Sequence, residues 1–474
     1  MRGSALRPAA FLVAGLFVAA PLVAQEPGSE AAIVLDGATL VDGTGAAPVA
    51  DAQVVVRGDR IACAGGEEEC PAPEGARSLD LEGRWIVPGL VDAHVHFSQT
   101  GWVDGRPDAV DLRDRHPYPE VVAELESNPG RFLRAYLCSG VTSVFDVGGY
   151  PWTWTLRERV ADDPTAPRVE AAGPLLSTVD FWLNLPGERQ FVYMASDSIV
   201  RRAVRYHAAN HTDAVKVWYI TPPQPPDSSR ARVLVRAAAE EAEARGIPLI
   251  VHATGLWEAK DAVRAGADLL VHSVFDEPVD EEFLRLARES GVLYTPTIMV
   301  LEGYADVYRN RFDGSRYPLS CVDPQTRALV NKPLPEARLP RGADTPRAAA
   351  AREERLERTL ENTRRVHEAG IPIVVGTDAG NPGTLHGPSI HREIELVARA
   401  GLTPMETIVA ATRNGARAMG READLGTVEA GKRADLLVLS ADPLADPAHL
   451  REIVWVMKGG ALHSAEDLRP ADRR

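Results

Sequence analysis

Lysine is scarce in this chain. Of its 52 basic residues only five are Lys, at positions 216, 260, 332, 432 and 458, and the rest are Arg. A basic stripe is missing too: 67 acidic residues give a formal net charge of −15. Nothing here neutralises a phosphate backbone, so the composition argues against nucleic acid as a partner. Beyond the N-terminus no apolar run is long enough to cross a bilayer. The four Cys show no C-x-x-C spacing, which removes the usual thiolate metal sites. No internal repeat occurs, and residues 221–226 form only a short Pro-rich tract.

At the N-terminus, Arg2 and Arg7 precede an almost wholly apolar stretch from Ala9 to Ala20, and Leu22-Val23-Ala24 offers small residues before Gln25. This pattern reads as a signal peptide over residues 1–24. The expectation is an exported protein, periplasmic or secreted, with no stable membrane insertion after cleavage; a retained N-terminal anchor is the alternative. Export makes disulfides possible. Cys63 and Cys70 flank Gly65-Gly66 and could close a small loop, whereas Cys138 and Cys321 have no obvious partners and all four could be free.

Short alternating apolar runs at 32–35, 39–41, 52–56 and 60–62 predict strands, and the pattern returns at 434–439 and 453–457. Two β-rich ends suggest one small accessory β-sandwich domain formed from both termini, residues 25–87 and 427–474. Between them, 88–426 alternates apolar runs with helical patterns, the signature of βα units. Eight strand candidates stand out: 90–97, 141–147, 168–172, 214–219, 248–253, 268–273, 292–297 and 371–377. An Ala/Glu/Arg-rich helix is expected at 231–245, and Thr403-Pro404-Met405-Glu406 forms a capping box with Pro at the first helical position. The fold class is therefore α/β, a (β/α)8 TIM-like barrel whose chemistry sits at the C-terminal ends of strands. Residues 98–120 and 300–347 form unusually long connections, which implies lids or disorder.

Chemistry-bearing residues recur at those strand ends. His94 and His96 alternate along one strand, so both point to one side and could share a metal ion. Lys216 sits inside an apolar strand of a chain that otherwise prefers Arg. A buried Lys can shed its proton where Arg cannot, and the neutral amine can take up carbon dioxide as an anionic, bridging carbamate. His252, His272 and Asp378 each end an apolar run. Each alone fits an ordinary buried polar position; together they supply what two zinc-like ions require.

The order HxH, Lys, His, His, Asp resembles the amidohydrolase superfamily in its binuclear form. The segments Trp85–Asp92 and Leu425–Leu436 are similar to that family's passages into and out of the barrel. The nearest look is to the branch labelled imidazolonepropionase-like, which includes metal-dependent dipeptidases, and Lys216 favours the dipeptidase-like side. The resemblance implies two divalent metal ions, with Zn as the expected metal. His94, His96 and Asp378 would hold one, His252 and His272 the other, and carboxylated Lys216 would bridge them. It further implies a metal-bridging hydroxide as nucleophile and Asp378 as proton shuttle.

His386, just past Asp378, is a candidate contact to the substrate or oxyanion. Tyr219 would point away from Lys216 if its strand stayed regular. Asp146 ends the second strand with Phe145 where related sequences often carry Arg, so a substrate carboxylate contact there is in doubt. Trp102, Tyr150, Trp152, Trp154, Phe181 and Trp182 lie after strands one to three, which suggests a small-molecule substrate with a bulky apolar group. The reading is an amidohydrolase acting on a dipeptide, an N-acyl amino acid or a cyclic amide. A lactonase or phosphotriesterase on the same metals is the alternative, and a silent periplasmic binding protein the third reading. Substrate, metal identity and oligomeric state are not legible.

Overall fold

A computed structural model describes residues 32–180, 189–221 and 228–471. The expected signal segment, Phe181 and Trp182, and most of the Pro-rich tract lie outside the described residues.

The N-terminal alternation forms β1 (Ile33–Leu40), β2 (Val49–Arg57), β3 (Arg60–Gly65), β4 (Arg77–Asp80) and β5 (Trp85–Pro88). They share one eight-stranded sheet with β15 (Leu436–Leu439), β16 (Ile453–Lys458) and β17 (Ala461–Ser464), so both ends of the chain build it. The junction is the antiparallel pairing of β5 with β15, which sets Val87 opposite Leu437. One face of these strands buries a core of Leu35, Val54, Ile86, Leu436 and Val438, as period-two alternation requires.

The middle of the chain builds parallel sheets with helices between strands, an α/β arrangement that fits a TIM-barrel-like fold. One sheet holds β6 (Leu90–Val95), β7 (Val141–Asp146) and β8 (Arg168–Ala171). The other runs through β9 (Leu175–Ser177), flanked by β10 (Phe191–Tyr193), then β11 (Val215–Trp218), β12 (Leu249–His252), β13 (Leu269–Val271) and β14 (Leu293–Thr295). Their runs are buried throughout or nearly so, which is why they read as continuous apolar stretches rather than alternations. The pair β9 and β10 was not anticipated. Gly173, at φ +71°, turns the chain after β8 and starts β9 as a fresh strand against β11.

The eighth expected strand, 371–377, is less regular than its sequence suggests. It pairs only through an isolated bridge from Ile373 to Tyr294. Its backbone still ties both neighbours: Val374 N–H donates to the Tyr294 carbonyl (2.9 Å) and Ala93 N–H to the Val375 carbonyl (3.1 Å). The capping box at Thr403 and Glu406 forms as its residues require.

The long connection at 300–347 is neither structureless nor a bare loop. It carries the helices Met299–Tyr308 and Pro324–Val330 and leads into the 23-residue helix Pro346–Glu368. Cys63 pairs with Cys70, as their spacing allowed. Cys138 and Cys321, which had no visible partners in the sequence, also form a disulfide, across a separation of 183 residues that only the fold closes. That bond staples the connection to the helix Leu133–Cys138. Replacing both cysteines, Cys138→Ser with Cys321→Ser, is expected to lower the unfolding free energy by about 2–4 kcal/mol in urea titrations. Unchanged stability would mean that packing alone holds the segment.

Candidate metal centre

Alternation along β6 brings His94 and His96 to one side, with their Nε2 atoms 3.3 Å apart. His96 Nδ1 donates to the Gly148 carbonyl at 2.6 Å. A carbonyl only accepts, so the proton is on Nδ1 and Nε2 presents a lone pair. Asp378 Oδ1 lies 3.0 Å from that lone pair and 3.3 Å from His94 Nε2. His94 Nδ1 and Asp378 Oδ1 are buried without hydrogen-bond partners. Electron-rich atoms packed this closely in low dielectric repel unless a cation lies among them. The residues fit a divalent ion on that ground.

His272 completes the cluster. Its ring centroid is 4.9 Å from that of His94 and 4.3 Å from that of His252. Ligand atoms of His94, His272 and Asp378 all fall within 4.8 Å of one another. Thr297 Oγ1 meets His272 Nδ1 at 2.7 Å and orients the ring. Burial pushes His94, His252 and His272 well below the ordinary imidazole range, which keeps them in the neutral, ligating form. The amine of Lys216, fully buried in the same wall, is brought down to about 7 by burial, against the opposing pull of Asp378 and Asp146.

The backbone is bent to achieve this. His272, Thr297 and Asp378 all adopt positive φ, at 70°, 46° and 62°. Thr297 is β-branched, for which that region is a true outlier. Gly376 is required two residues before Asp378, because a Cβ there would meet His94 Cβ at 2.8 Å and Thr295 Cγ2 at 2.7 Å. Two buried carboxylates brace the ligands. Asp92 accepts from Thr377 N–H (2.9 Å) and Oγ1 (2.7 Å), tying the segment of Asp378 to the strand of His94. Asp146 accepts from Phe97 N–H (2.8 Å) and Gly148 N–H (3.1 Å), fixing the carbonyl that orients His96. Burial raises Asp92 to about 7 and Asp146 to about 6.

His96, Lys216, His252, His272 and Asp378 form one wall of a cavity of about 310 Å³. Among the described residues its aromatic lining is Phe191, Trp218, Phe275 and Tyr304. Among the described residues, the tryptophans singled out in the sequence, Trp102, Trp152 and Trp154, do not line it. Trp102 packs edge-on against Phe312, Trp154 against His207, and Tyr150 stacks with Trp152. None of these four side chains lines the cavity.

The structure also moves two other candidates away. Tyr219 donates its hydroxyl to Asp261 at 2.9 Å and does not line the cavity. His386 stacks on Phe132 with centroids 3.9 Å apart. Its Nε2–H donates to the Gln99 carbonyl (2.8 Å) and its Nδ1 accepts from Tyr136 Oη (2.7 Å). Both nitrogens are engaged and burial lowers its pKa to about 3, so the ring is a neutral packing element behind Gln99 and does not itself line the cavity. Residues that the sequence did not flag take places at the cavity instead. Arg106 pairs with Asp108 (2.8 Å) and bonds Gln99 and Asn381, and Tyr304 donates to Asn381 at 2.9 Å. Both lie on the long connections, where no periodicity marks a function.

His386→Leu removes two buried hydrogen bonds without touching the cluster, so it should cost about 1–3 kcal/mol of stability while metal content per chain stays at the parent level. A fall in metal content would return His386 to the site.

The Amidohydrolase family profile matches residues 85–462. An ochratoxinase from Aspergillus niger is 26% identical over 484 residues, covering 95% of this chain and 90% of that protein. An imidazolonepropionase from Streptomyces griseus is 26% identical, covering 89% and 92%. A crystal structure of a Xaa-Pro dipeptidase with methionine bound superposes with a TM-score of 0.69 at 23% identity, covering 92% of this chain and 100% of that one. This chain belongs to the amidohydrolase family, hydrolases acting on carbon–nitrogen bonds.

Proposed function

We propose that this protein hydrolyses the amide bond of a small organic substrate (a dipeptide, an N-acyl amino acid or a cyclic amide) at a pair of divalent cations, with zinc matching the imidazole-rich donor set. The observation that carries this reading is the meeting of the His96 Nε2 lone pair with Asp378 Oδ1 at 3.0 Å, beside His94 Nε2 at 3.3 Å. Kinship with an imidazolonepropionase and a Xaa-Pro dipeptidase supports it.

In this reading His94, His96 and Asp378 would hold one cation and His252 and His272 the other, and Lys216, as a carbamate, would offer anionic oxygen ligands. A neutral buried amine attacks carbon dioxide, and loss of one proton leaves an anionic group with two oxygens. When bound, the cations supply Lewis acidity to water and to the scissile carbonyl. Asp378 takes the proton of the attacking water and delivers it to the departing amine. The Gly148 carbonyl keeps His96 in the ligating tautomer, and Thr297 orients the ring of His272. The apolar lining of Phe191, Trp218 and Phe275 suits a substrate with a bulky hydrophobic part.

The same reading takes the parallel sheets as a (β/α)8 barrel over residues 88–426. The eight-stranded sheet becomes a small β-sandwich from 25–87 and 427–474. Residues 1–24 act as a signal peptide for export to the periplasm or beyond, and the two disulfides suit an oxidising compartment.

The first test is metal content of the signal-free protein expressed with added divalent metal and bicarbonate, beside Lys216→Ala. About two ions per chain are expected in the parent and markedly fewer in the variant. One ion in both would remove the bridging role of Lys216, and none would overturn the mechanism. Rates on matched amide, ester and phosphotriester substrates then fix the bond cleaved; an amide slower than both others would overturn the amide reading.

A further inference from the structure

The cavity beside the metal cluster is open on one side. Where the helices Met299–Tyr308 and Pro346–Glu368 face each other it continues into a second groove of about 810 Å³, and Leu301, Tyr304 and Arg355 line both. Arg355 is exposed at this junction. Its guanidinium sits 4.4 Å over the Phe275 ring, and among the described residues no carboxylate pairs with it.

That is unusual in its own surroundings. Two other guanidinium groups of the groove are neutralised, Arg309 by Asp344 at 3.1 Å and Arg316 by Asp306 at 2.9 Å. Arg106, the other guanidinium of the cavity, is engaged by both oxygens of Asp108. Arg352 bonds the Ala343 carbonyl at 2.6 Å, and among the described residues no carboxylate pairs with it. In a chain of net charge −15, the mouth of the catalytic cavity is therefore locally cationic. Stacking on an aromatic face fixes a guanidinium in space while leaving its N–H edge available, the geometry that grips a carboxylate with two parallel bonds.

We propose that Arg355 is a specificity-determining residue, selecting substrates that carry a carboxylate remote from the scissile amide and directed from the cavity toward the groove. This rests on the amide-hydrolase reading above. The reactive bond sits at the metal cluster, the apolar middle of the substrate lies along the cavity wall, and the distal anion meets Arg355 where the two spaces join.

The test uses the metal-loaded protein and a matched pair of probes, the mono-para-nitroanilide of hexanedioic acid and its neutral terminal carboxamide. Binding is measured by calorimetry and cleavage by release of para-nitroaniline, for the parent, Arg355→Met and Arg355→Lys. Met preserves the contact with Phe275 but not the charge. The parent is expected to favour the acid by about five-fold in affinity and in kcat/KM, a gap that narrows as salt rises. Arg355→Met should bring the acid to the level of the carboxamide, and Arg355→Lys should keep part of the preference. No preference for the acid in the parent, absent binding of both probes included, overturns the proposal. So does a preference that survives Arg355→Met, because the carboxylate is then held elsewhere, at the metal cluster for instance. Cleavage without acid preference removes the role of Arg355 alone. An Arg355-dependent acid preference in binding, with no cleavage of either probe, instead counts against the amide-hydrolase reading.

Discussion

Crowding of lone pairs governs this structure. A carboxylate oxygen and two imidazole nitrogens stand 3.0–3.3 Å apart in a fully buried place, an arrangement that costs free energy in the absence of positive charge. It persists because each member is clamped from behind. Gly148 holds His96, Thr297 holds His272, and Asp92 holds the segment that delivers Asp378. The positive φ values at His272, Thr297 and Asp378 are the backbone counterpart of the same clamping. Strain of this kind survives only where surrounding packing over-determines the conformation, and here the braces come from strands far apart in sequence.

The division of labour follows the fold. Strand ends carry the ligand-type residues, because buried parallel strands are the stiffest part of the molecule and set side chains to within fractions of an ångström. The connections carry Arg106 and Tyr304 and the helix Pro346–Glu368 carries Arg355, and all three line the cavity. Cys138–Cys321 ties the long connection to the helix Leu133–Cys138.

Much of the site was legible because strands have a period. His94 and His96 advertise themselves by alternation, and His252, His272 and Asp378 each close an apolar run. Lys216 stood out by contrast with a chain that otherwise uses Arg. What spacing does not encode is the direction of a loop. His386 lies near Asp378 in sequence but turns into the core between Phe97 and Phe132, and Tyr219 turns to Asp261. Trp102, Trp152 and Trp154 stay out of the cavity lining, while Phe191 and Phe275, unremarkable in sequence, reach it. The pairing of Cys138 with Cys321 was invisible for the same reason: it is a property of closure, not of neighbouring residues. The eighth expected strand does not form as a strand: its apolar run pairs only through the isolated bridge of Ile373 to Tyr294.

The accessory sheet bears on how the molecule is made. Its strand β5 is completed on one edge by β15, which follows it by about three quarters of the chain length. Without β15, a sheet of β1 to β5 would have an unsatisfied edge at β5, the kind of surface that pairs promiscuously with other chains. Contacts between elements so distant along the chain are also slow to form. During translation the protein thus passes through a long interval in which its first-made unit waits for its last, and the safest course for the cell is to keep that unit extended, or guarded by a chaperone, until the C-terminus arrives.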